Sequence, residues 1–117
     1  MSIEQIRTIG DHCTAVTPST ADYDGVSSTW TETEYRAFDL PGGSFGGYWR
    51  GAPGDVYFRS WPYNETCVLT LGRIALEDAS GRRIEFTKGD AFYIPAGFEG
   101  RWITLEPTEK YFIAIAG

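Results

Sequence analysis

The chain is poor in the residues that metal and nucleophile chemistry require. It has one histidine, His12, and two cysteines, Cys13 and Cys67. A single histidine in an irregular N-terminal stretch leaves no Ser-His-Asp set to assemble, and His12 is read as a surface residue. The cysteines lack metal-ligand spacing and read as free thiols. Positive charge is also scarce: ten Lys and Arg stand against sixteen Asp and Glu, a net charge of −6. That balance argues against nucleic acid as a partner. No apolar run reaches the roughly 18 residues of a membrane span, and the N-terminus MSIEQIRTIGDH lacks a signal-peptide layout. A cytoplasmic protein is therefore expected. The glycine-rich stretch Gly42–Gly47 lacks the Lys-Ser/Thr ending and following helix of a phosphate loop.

What the chain does have is aromatic and turn-rich. It holds 117 residues, 42% hydrophobic and 15% aromatic, with fourteen glycines and six prolines. These values point to one domain of short strands. Residues 1–40 read as an irregular arm and loop of that domain. Ile3, Ile6 and Ile9 give weak helical spacing, and Thr17 to Thr33 is rich in loop formers. Trp30, Tyr35 and Phe38 are expected to dock on a body formed by residues 41–117. In that body, Val56–Arg59, Glu65–Leu71, Arg73–Glu77, Arg83–Thr87, Ala91–Ile94, Arg101–Leu105 and Tyr111–Ala116 read as strands. Turn signals such as Asp78-Ala79-Ser80-Gly81 and Lys88-Gly89-Asp90 separate them. Short strands at regular intervals predict an all-β sandwich or barrel.

Two motifs carry a resemblance. Glu65 is followed after six residues by Gly72, and Gly89 after five by Pro95 and then Gly97. With Tyr48-Trp49, Gly54, Tyr63, Asp78 to Gly81, Asp90, Phe98, Gly100, Trp102 and Lys110, they make residues from about Gly47 to Ile115 similar to the small single-domain cupins called cupin 3, or domain of unknown function 861. The resemblance implies a double-stranded β-helix, the jelly-roll barrel. In cupins three histidines and one glutamate bind a metal. Here the glutamate stands as Glu65, while the histidine positions hold Arg59, Trp61 and Gly100. Arginine and tryptophan offer donors and no lone pair to a cation. The chain resembles the members that lack the histidines, so neither metal nor cofactor is expected.

Period 2 places Tyr63, Glu65, Cys67 and Leu69 on one face, and Gly100, Trp102 and Thr104 on one face of a later strand. The resemblance makes these faces interior. Arg59 and Trp61 join them unless Pro62 forces a bulge. The ligand-binding candidates are Arg59, Trp61, Tyr63, Glu65, Tyr93 and Trp102. An interior carboxylate needs a partner, and Arg59, six residues before Glu65, is the expected one. The tryptophans either wall a pocket or fill the barrel.

Three functions remain open. The first is a metal-independent cupin that binds a small polar metabolite, nitrogen-containing or a carboxylate. Its tie to small nitrogenous metabolites is implied by the family's ureidoglycine and ethanolamine-pathway members. The second is an enzyme with Glu65 as acid or base and Tyr63 or Tyr93 as partner. The third is a structural or regulatory dimer with a filled barrel. A homodimer is expected in each case, with the N-terminal arm as interface, because pairing covers sheet edges.

Overall fold

The computed structural model describes residues 1–117. Eleven strands follow one another: β1 (Thr14–Val16), β2 (Gly25–Val26), β3 (Glu32–Asp39), β4 (Phe45–Gly51), β5 (Gly54–Phe58), β6 (Tyr63–Leu71), β7 (Arg73–Asp78), β8 (Arg83–Thr87), β9 (Ala91–Ile94), β10 (Gly100–Thr104) and β11 (Thr108–Ala116). They form two antiparallel sheets, ordered β1-β3-β4-β11-β6-β9 and β2-β5-β10-β7-β8. The sheets face each other as an open jelly roll. The only helical pieces are short 3-10 turns at Ile3–Gln5 and Thr20–Asp22. No helix is long and apolar enough to cross a membrane.

Alternation in the sequence becomes alternation in burial. Along β6, Glu65, Cys67 and Leu69 are buried while Thr66 and Val68 are exposed. Along β10, Gly100, Trp102 and Thr104 are buried. Both faces agree with the period-2 reading. Gly72 ends β6 at φ 88°, and a Cβ there would lie 2.3 Å from the carbonyl oxygen of Pro107. Positive φ and backbone contact together require glycine at this turn.

The N-terminal third departs from its reading as an arm. Glu32–Asp39 is a full strand inside the six-stranded sheet, paired with β1 on one side and β4 on the other. Trp30 does not lie on the outer surface: its ring is 5.9 Å from that of Trp49, against the main aromatic cluster.

The interior has two halves. In one, aliphatic side chains close-pack, and Leu69 and Ile74 are fully buried. The other half is aromatic and holds a cavity of about 570 Å³.

Candidate functional site

Four strands of the larger sheet supply polar side chains to the aromatic half. Glu65 enters from β6, Lys110 from β11, and Glu32, Glu34 and Arg36 from β3; Trp49 projects from β4. Trp102 comes from β10 in the opposite sheet.

The centre is an ion pair. Lys110 Nζ donates to Glu65 Oε2 at 2.7 Å, and each side chain is 7% exposed. Trp61 Nε1 donates to Glu65 Oε1 at 3.2 Å, and the Cys67 thiol donates to Oε2 at 3.1 Å. Lys110 also lies 3.5 Å from Cys67 Sγ, 4.1 Å from the Trp102 ring centroid and 5.0 Å from that of Trp49. Burial alone would raise the Glu65 carboxyl. The ammonium beside it and these hydrogen bonds outweigh burial and hold it below its ordinary value. Burial likewise opposes the Lys110 ammonium, but the Glu65 carboxylate, with the Cys67 sulfur as a second hydrogen-bond acceptor, keeps it above the usual lysine range. The Cys67 thiol is pushed well up by burial and by the Glu65 charge. The pair is therefore carboxylate and ammonium at neutral pH, with a protonated thiol at its side.

Around the pair stand more carboxylates. Glu34, 7% exposed, accepts from Arg36 Nε at 2.8 Å and from a second Arg36 nitrogen at 2.5 Å, both on Oε2. Burial raises its carboxyl more than Arg36 lowers it. Arg36 packs 3.9 Å over the Phe45 ring. Glu32 accepts from Trp30 Nε1 at 2.7 Å, from Trp49 Nε1 at 2.8 Å and from the Tyr23 hydroxyl. Burial and neighbouring carboxylates push the Tyr23 and Tyr63 hydroxyls far above the ordinary tyrosine value.

The candidates from the sequence divide. Trp61, Tyr63, Glu65 and Trp102 line the cavity. Arg59 does not: its side chain is exposed, and the partner of Glu65 is Lys110. The reason is Pro62. β5 stops at Phe58 and β6 starts at Tyr63, so residues 59–62 form a link outside both sheets. Trp61 instead pairs its backbone with Phe98 and Gly97. Alternation cannot be extrapolated across that break. Tyr93 is also misplaced, being 59% exposed on the outer face of β9, where its hydroxyl donates to Asn64 Oδ1 at 2.6 Å. Lys110, Glu32, Glu34 and Arg36 were missed. Lys110 had a signal, since it keeps phase with the buried Phe112 and Ala114.

A cupin metal does not fit this arrangement. The motif carboxylate is taken by an ammonium, and Trp61 and Lys110 offer donors only. Position 100 leaves no room for a ligand side chain: a Cβ there would meet the Glu77 carbonyl and the Phe98 ring, each at 2.4 Å.

Solved structures share the architecture. EutQ from Clostridium difficile superposes with a TM-score of 0.68 at 14% identity, over 86% of this chain and 81% of that one. A putative ethanolamine utilization protein Q from Salmonella typhimurium gives 0.67 at 14%, over 95% and 93%. A DUF861 family protein from Thermotoga maritima gives 0.55 at 26%, over 60% and 78%. No curated protein matches the chain. The EutQ-like cupin domain model matches residues 42–112, which takes in Glu65, Trp102 and Lys110 together, and the chain belongs to that cupin family.

Proposed function

We propose that this protein is a metal-independent cupin that binds a small polar, nitrogen-containing metabolite between its sheets. One observation carries the reading. At the position of the cupin metal glutamate, a buried lysine supplies the positive charge, and the cavity beside it is open and walled by aromatic and charged groups. Its volume suits a small molecule. The four tryptophans leave that space unfilled, which counts against a plugged barrel.

Acid–base catalysis by Glu65 has less support. A working acid or base needs a pKa near the operating pH. Glu65 is shifted down, and Tyr63 is shifted up. Both shifts lead away from neutrality.

The test is elemental analysis and native mass spectrometry of the purified protein. The expected result is no stoichiometric Mn, Fe, Ni or Zn, together with a bound small molecule or saturable binding of one from a metabolite panel. About one transition metal per chain held by Glu65 would overturn the reading.

A further inference from the structure

Five carboxylates line the cavity: Asp22, Asp24, Glu32, Glu34 and Glu65. Two cations face them, and both are engaged, Lys110 by Glu65 and Arg36 by Glu34 and Asp39. Glu32 has no cation within ion-pair distance. Its three hydrogen bonds come from neutral donors: two indoles and a phenol. Glu34 is nine-tenths buried, yet both its bonds fall on Oε2. Its Oε1 accepts no hydrogen bond from the protein and is not fully enclosed, and Glu34 lines the cavity. Glu32 is part-exposed and Asp22 and Asp24 are exposed, so the cavity lining carries an excess of carboxylate charge that favours a cationic ligand.

We propose that the cavity selects a ligand bearing an ammonium group, with Glu32 and the free oxygen of Glu34 as its counter-charge and the rings of Tyr23, Trp30 and Trp49 around it. The inference rests on the small-molecule reading above and names the chemical class of the ligand. The molecule already contains the same arrangement. The Lys110 ammonium sits on a carboxylate, 4.1 Å from one tryptophan ring and 5.0 Å from another. Aromatic faces attract a desolvated ammonium, and a carboxylate beside it adds a charge-assisted hydrogen bond. A ligand carboxylate would meet an excess of like charge, and the Lys110 ammonium near it is already paired with Glu65. Burial raises the Glu34 carboxyl, and a bound ammonium would draw it back toward ionisation.

The four tryptophans, Trp30, Trp49, Trp61 and Trp102, all line the cavity, so intrinsic fluorescence reports on its contents. Three probes of one size are titrated at constant ionic strength: propylammonium chloride, sodium propionate and propionamide. Propylammonium is expected to shift the emission saturably, and the other two are not. Glu32→Gln, which removes the charge and keeps an acceptor oxygen for one of the two indoles, should weaken propylammonium by about tenfold or more. Glu34→Gln serves as a second variant if the first loses its near-UV dichroism. Propionate or propionamide binding as tightly as propylammonium overturns this inference and leaves the small-molecule reading intact. So does unchanged affinity in a folded Glu32→Gln protein. A complete lack of response to all three overturns the ammonium inference, and the metabolite panel then decides the small-molecule reading by itself.

Discussion

Lys110 Nζ and Glu65 Oε2 meet at 2.7 Å from neighbouring strands, inside a shell of Trp61, Trp102 and Cys67. Breaking a buried pair leaves one charge uncompensated, which costs about 3–5 kcal/mol. Lys110→Met is expected to lose that much in urea denaturation. Replacing both partners removes the stranded charge, so Lys110→Met with Glu65→Leu should recover most of the loss. A double variant no more stable than Lys110→Met alone would show that packing, not charge pairing, sets the cost.

The pair also dictates how stability follows pH. Glu65 has a folded pKa below its ordinary 4.5. Its contribution is complete above the unfolded value and is lost as pH falls through the folded one. Lys110 has a folded pKa above its ordinary 10.5, so its contribution is complete below that value and is lost as pH rises past it. Between about 4.5 and 10.5 both are at full strength. In Lys110→Met, Glu65 keeps its burial and loses its ammonium, so its carboxyl rises above 4.5. The variant should then gain stability on acidification toward pH 5, where the natural protein gains none from this group. Chemical denaturation at pH 7 and pH 5 decides the sign.

Arg59 was the sequence's candidate for the role that Lys110 fills. Since Arg59 is exposed, Arg59→Ala should change stability by no more than about 0.5 kcal/mol. A loss of several kcal/mol on denaturant titration would return Arg59 to the interior.

The two cysteines should differ in reactivity. Cys67 is fully buried and its thiol is shifted well up by burial and Glu65, whereas Cys13 is partly exposed. Thiolate and access together govern reaction. Ellman's reagent is expected to titrate one thiol per chain in the native protein and two after denaturation. Two fast native thiols would contradict the buried Cys67–Glu65–Lys110 cluster.

The parts of the fold that were legible share one property: their inward residues are apolar or belong to the motifs. β6 and β10 alternate in this way, and their faces were assigned correctly. β3 inverts the rule. Its inward positions are Glu32, Glu34 and Arg36, all lining the cavity, so the strand reads as a polar loop. A strand that turns charge inward is hidden from hydrophobic patterning for the same reason that it is useful to a binding site. The partner of Glu65 was hidden differently. Lys110 lies 45 residues away in sequence, and only strand pairing through β11 and β6 brings it near.

The homodimer expectation stands as a proposal with a different interface. The arm residues named for it have other uses: Trp30 lines the cavity, and Tyr35 and Phe38 lie within β3. The outer face of the six-stranded sheet is the better surface. Val68, Tyr111, Ile113 and Ile115 are 38%, 42%, 44% and 51% exposed there. Tyr111 pairs directly with Val68, and Ile113 and Ile115 continue the row along β11. A contiguous apolar stripe on a sheet face is unusual for a free surface and suits a self-complementary two-fold contact. Light scattering at tens of micromolar is expected to give about twice the 13.0 kDa of one chain. Ile113→Glu should shift it to the monomer, since it puts a carboxylate in the middle of the apolar stripe that the contact would bury. The variant should keep its strand signal in far-UV dichroism, because position 113 points away from the core. A natural protein that scatters as a monomer removes the dimer, and an Ile113→Glu dimer removes this face as its interface.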